Sequence, residues 1–174
     1  MKKVLSVLVL IAVSISLSSC SVKKIKTTEL NEYDEYLSKV EYAEDYMPSL
    51  EQCGNYSSFF ATHKHQSFYL ETETVVLFLS YNEDEYNKQK EAILLNYVFY
   101  DSEDKGLESD CDAVVDGYNI KLVNRNYPLE TYKMGLLIGM DDANKKICYL
   151  FYYDFDLDDL DDLDAYVESY FYMS

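Results

Sequence analysis

Tryptophan is absent, and the 174 residues hold only two prolines, five glycines, two histidines and a single arginine, Arg125. So little glycine and proline excludes collagen-like and Pro/Gly-rich disordered chains. Basic residues are scarce as well, 15 against 32 acidic, for a net charge of -17. A nucleic-acid binder needs a basic footprint to displace counterions from phosphates, so DNA and RNA are excluded as partners. No Cys-x-x-Cys, His-Glu-x-x-His or Gly-x-Ser-x-Gly occurs, which removes the simplest redox, zinc-protease and serine-hydrolase readings. What is abundant is apolar and aromatic: 48% hydrophobic residues, with 19 tyrosines and eight phenylalanines. That is enough apolar material for one globular domain of ordinary size.

Long uncharged runs are also few, and the longest follows Lys2 and Lys3 at the N-terminus, with Val4 to Leu17 as its apolar part. A positive start, a short apolar stretch and small residues at its end predict a secretory signal peptide over residues 1–19, too short to span a bilayer comfortably. The segment Leu17-Ser18-Ser19-Cys20 resembles the lipobox of bacterial lipoproteins. That resemblance implies a diacylglyceryl group on the Cys20 sulfur, cleavage before Cys20, and a chain anchored on the outer face of the cytoplasmic membrane. Stable anchoring takes two acyl chains, which this modification supplies. Further on, Met47-Pro48-Ser49-Leu50 and Leu79-Ser80-Tyr81-Asn82-Glu83-Asp84-Glu85-Tyr86 resemble stretches of uncharacterised lipoproteins of low-GC Gram-positive bacteria, which implies location and no activity.

Charge divides along the chain. Five of the 15 basic residues, Lys2, Lys3, Lys23, Lys24 and Lys26, precede residue 28, and none of the 32 acidic residues does. Residues 20–27 therefore read as a basic, lipidated tether, favourable beside an anionic leaflet, and 28–174 as a single acidic domain.

Within that domain, Leu30, Tyr33, Leu37, Val40, Ala43 and Met47 recur at helical spacing, predicting a helix from Thr28 to Met47 that Pro48 ends. Ser49 to Gln66 lacks a period and reads as an irregular connection. Val75 to Leu79 is an apolar run suited to a central strand, and Asn82 with Glu85 predicts a capped helix over Glu83–Leu95. Tyr97 to Tyr100 suits a short returning strand, and Asp101 to Gly117 an acidic loop. Tyr118, Ile120 and Leu122 alternate as a strand. Runs around Met134–Met140 and Ile147–Phe155, joined by a polar turn, predict an antiparallel hairpin. Leu157 to Met173 reads as an acidic-ended helix. The order of elements predicts an α+β fold, a two-layer sandwich of a mainly antiparallel sheet with packed helices.

Candidate site residues are few. Asp154, Asp156 and Asp158 have the opening spacing of a calcium loop, but Asp159 replaces its glycine and Ala165 its last acid, so only a weak cation contact is expected and no metal or cofactor is assigned. His63 and His65 could share a face on a strand, yet a solvated loop is the expectation. Cys53 and Cys111, in turn-rich stretches of a chain outside the reducing cytoplasm, are the expected disulfide, with Cys148 buried. Tyr149, Phe151, Tyr153 or Tyr152 would carry any aromatic binding surface. No catalytic residue is assigned. The expected function is a non-catalytic, lipid-anchored module for a protein or envelope partner; the alternative is an envelope hydrolase using carboxylates, since Asp and Glu are the one catalytic type in abundance.

Overall fold

The computed structural model describes residues 22–66, 72–100, 111–124, 133–154, 157 and 162–171. Seven strands form one sheet: β1 (Val22–Thr27), β2 (Ser58–Gln66), β3 (Thr72–Ser80), β4 (Asp112–Val115), β5 (Tyr118–Leu122), β6 (Met134–Asp141) and β7 (Lys146–Asp154). Four described helices pack on it: α1 (Leu30–Lys39), α2 (Ala43–Tyr46), α3 (Glu83–Asn96) and α4 (Leu163–Phe171). Strand order is β1-β2-β3-β7-β6-β5-β4, every neighbour antiparallel. Two meanders, β1 to β3 and β4 to β7, meet where β3 pairs with β7.

The mixed, mainly antiparallel expectation holds, but the sheet dominates and helices lie on both of its faces rather than forming one second layer. The reason is that the central strands have two apolar faces. Val75, Leu77, Leu79, Ile138, Tyr149 and Phe151 point into a core shared with α1, α2 and α3. Val76, Phe78, Leu137, Cys148, Leu150 and Tyr152 point the other way, into a second core closed by Val167, Tyr170 and Phe171 of α4. Alternate side chains of one strand face opposite sides, so a strand apolar throughout must be covered twice.

Local signals explain several boundaries. The Asn82 side chain accepts a hydrogen bond from the Glu85 backbone N–H (2.9 Å) and caps α3 as expected. The long first helix instead breaks in two. Val40 turns extended (φ -92, ψ 120) and ends α1, and Tyr42, left-handed (φ 65), lets α2 restart at an angle that still buries Ala43, Tyr46 and Met47. Leu30, counted on the apolar stripe, is half exposed, whereas Tyr33 is fully buried and its hydroxyl donates to the Pro48 carbonyl (2.6 Å). That bond ties α1 to the loop after α2 while satisfying a buried phenol.

Four further expectations are corrected. Residues 22–27, read as part of a free tether, form edge strand β1, paired along its whole length from Val22↔Gln66 to Thr27↔Ala61. The Ser49–Gln66 connection contains β2, whose register on β3 runs from Ser58↔Ser80 to Gln66↔Thr72. The acidic Asp101–Gly117 stretch ends in β4, which pairs with β5 around a turn at Asp116-Gly117. Tyr97 to Tyr100 contributes only the bridge Phe99↔Val123. The β6–β7 hairpin and β5 stand where they were expected.

Candidate functional site

Residues two apart on a strand share a face, and the β2–β3 register places His65 opposite Glu73, with His63 one step along the same face. The expected solvated loop is therefore a half-buried polar cluster on the sheet. His65 Nδ1 lies 2.6 Å from Glu73 Oε1, and His63 Nε2 stands 3.6 Å from Glu73 Oε2, beyond hydrogen-bond reach. Tyr36 of α1 covers the more buried imidazole, its ring centroid 5.3 Å from that of His63. The Tyr36 hydroxyl, His63 Nε2 and Glu73 Oε2 are buried and have no hydrogen-bond partner among the described residues.

Two opposed effects act on the Glu73 carboxyl. Burial pushes its pKa up; the His63 and His65 rings pull it down and prevail, so it sits below its ordinary 4.5. A carboxyl held low in the folded protein contributes stability that is complete above its ordinary value and is lost as pH falls through the folded value. Glu73→Gln should therefore lower stability by about 1 kcal/mol at pH 7, a modest figure because water reaches the cluster. The deficit should shrink as both proteins are melted at pH values from 5 down to 3; a deficit independent of pH would contradict this assignment.

Chemically, the cluster holds a negative charge between two imidazoles. It lacks a ligand set for a metal: among the described residues, no group of three or more His, Cys, Asp or Glu is arranged to hold a metal ion. Asp154 ends β7, opposite Thr72 on β3, while Asp156 and Asp158, the other two residues of the expected weak cation contact, lie outside the described residues.

The expected Cys53–Cys111 disulfide is not formed. Cys53, Cys111 and Cys148 are all buried, and the sheet separates the first two: Cys53 belongs to the core under α1 to α3, Cys111 to the core under α4. The Cys53 thiol donates to the Ser49 carbonyl (3.3 Å), and burial pushes its pKa up to about 12. Burial pushes Cys148 up too, so both are neutral thiols and poor nucleophiles. Cys20 lies outside the described residues.

Nor do the aromatics of β7 make a surface. Tyr149, Phe151 and Tyr152 are core residues and only Tyr153 reaches partial exposure, because β7 is central and covered on both faces.

Open concavities lie elsewhere. A cleft of ≈ 640 Å³ between α1 and the Ser49–Tyr56 loop is lined by Leu30, Asp34, Glu51 and Tyr56 among others, and Asn55 links it to a second, of ≈ 460 Å³, beside Glu83, Asp84 and Glu85. Gly54 lines the first beside Asn55, at φ +71, and a Cβ there would collide with Gln89 Nε2 and Glu85 Oε1. Gln89 (2.8 Å) and Lys88 (3.2 Å) both donate to Glu85 Oε1. Those donors, the Gln89 amide foremost, hold the Glu85 carboxyl low. Sequence reasoning missed both clefts, since only the fold brings Asp34 and Glu51 to one rim.

Fold and cluster together define a seven-stranded antiparallel sheet covered by helices on both faces, with a His–Glu–His group on strands β2 and β3. No family model matches the chain, and no curated protein or solved structure does either.

Proposed function

We propose that this chain is a lipid-anchored extracytoplasmic module with a binding rather than a catalytic role, held by a diacylglyceryl group on Cys20. The observation that carries the reading is Leu17-Ser18-Ser19-Cys20 at the end of a short apolar segment that starts with two lysines. The fold is compatible with it, because β1 starts at Val22 and places the chain's entry at an open edge of the sheet. No helix among the described residues is long and apolar enough to cross a membrane, so retention there would rest on the lipid or on residues outside them.

The carboxylate-hydrolase reading finds no general acid among the described carboxyls whose pKa is shifted. A general acid needs a raised pKa. Glu73, Glu85 and Asp142 go the other way, the last held low chiefly by the Lys90 ammonium and the Tyr86 hydroxyl. At neutral pH all three are ionised.

Cys20→Ala is the direct test. The wild-type chain should partition into the detergent phase and fractionate with membranes, and the variant should accumulate as unprocessed precursor or be lost to the medium. Normal processing and unchanged detergent-phase partitioning of Cys20→Ala would overturn the reading.

A further inference from the structure

The chain has 32 acidic side chains, yet on one face of β1 and β2 it presents lysines that form no ion pair among the described residues. Lys24 stands directly opposite Lys64 in the β1–β2 register, and Lys26 lies one step along the same face as Lys24. Like charges directly opposite each other destabilise a strand pair. Among the described residues none of these three forms an ion pair, whereas Lys39, Lys88, Lys90 and Lys145 each have a carboxylate partner. Instead, Lys26 Nζ sits 4.0 Å from the centroid of Phe60, and Lys64 Nζ 4.8 Å from that of Tyr170 on α4. Ring faces hold an ammonium without cancelling its charge. Burial and the neighbouring Lys24 both lower the Lys64 pKa, while Asp154 draws it the other way and does not prevail. Val22, on the same face, is half exposed, as an apolar residue at a wet interface would be.

Where the chain enters this strand identifies the partner. Cys20 precedes Val22 by two residues, and two residues span at most about 7 Å. With no slack tether, β1 itself must lie beside whatever holds Cys20. We propose that the β1–β2 face bearing Lys24, Lys26 and Lys64 is a docking surface for the anionic headgroups of the leaflet that carries the lipid. This rests on the lipid-anchor reading and deepens it: the lysines of the expected tether are built into the sheet, Lys24 and Lys26 on this face beside Lys64 and Lys23 on the other, so the acidic domain is held in one orientation with this basic face toward the membrane. Lysines on an exposed edge also discourage pairing with a second copy of β1, which argues against a dimer through that edge.

The test is lysine labelling of the full mature chain in vesicles, with each site read by mass spectrometry and the Cys20 peptide read in the same digest. On vesicles of three parts phosphatidylcholine to one part phosphatidylglycerol, Lys24, Lys26 and Lys64 should react about five-fold more slowly than on pure phosphatidylcholine, while Lys121 and Lys146 keep their rates. High salt should erase the difference. Even labelling on both vesicles, with lipid present on Cys20, overturns the docking surface and leaves the anchor reading standing. A Cys20 without lipid overturns both. Protection by soluble polyglycerol phosphate, without protection by the anionic vesicles, overturns the membrane in favour of an envelope polymer.

Discussion

Replacing Phe151 with alanine should lower the unfolding free energy by about 3–5 kcal/mol. Phe151 is 0% exposed and sits in the middle of β7, flanked by Val75 on β3 and Leu136 on β6. Tyr46 of α2 packs on it with ring centroids 5.1 Å apart. Its side chain thus joins three strands to the helical layer. Truncation removes the transfer free energy of a whole ring and leaves a cavity that the surrounding strands, hydrogen-bonded on both sides, cannot close. Denaturant titration of the two proteins measures the loss. A change below about 1 kcal/mol would mean that this ring is not at the centre of a packed core.

Gly139→Val should be the next most damaging, at about 1–3 kcal/mol and toward the upper end. A Cβ at Gly139 would lie 2.6 Å from Cys148 Sγ and 2.9 Å from Ile120 Cγ1. Gly139 is paired with Ile120 on β5 and Cys148 on β7, so the strand cannot move away from one neighbour without meeting the other. The glycine is there because the adjacent strands fill its space. Gly139→Ala combined with Cys148→Ala should be less destabilising than the sum of the two single changes, since removing the sulfur clears the nearest atom. Strict additivity in denaturant melts would contradict the clash.

Much of this architecture is legible in the sequence where a single physical signal decides. The run Val75 to Leu79 allows no solvent face, so a central strand follows; Asn82 before three acids marks a helix start; the alternation of Tyr118, Ile120 and Leu122 marks a half-buried strand. The elements missed have no such signal. In β1, Val22-Lys23-Lys24-Ile25-Lys26-Thr27, only Thr27 is buried, because an edge strand gains its place from backbone pairing with β2 more than from side-chain burial. β2 is half-covered on each face, so Phe59, Ala61, His63 and His65 alternate with Phe60, Thr62 and Lys64 and give no apolar rhythm.

The His63–Glu73–His65 cluster was out of reach for the same reason. His63 and His65 were seen as a pair that a strand could align, but their partner Glu73 is set by the β2–β3 register, which the side-chain pattern of β2 does not specify. The cysteines were misassigned because turn-rich sequence says nothing of which face of a sheet a thiol occupies. Cys53 and Cys111 each fill an apolar core, on opposite sides of β3 and β7.

The proposed lipid anchor on Cys20 lies directly ahead of a sheet edge. Mass spectrometry of the N-terminal peptide of the chain recovered from the membrane fraction addresses it most directly. The expected peptide starts at Cys20 and carries diacylglycerol in thioether linkage. A peptide starting elsewhere, or an unmodified Cys20 thiol, would contradict it.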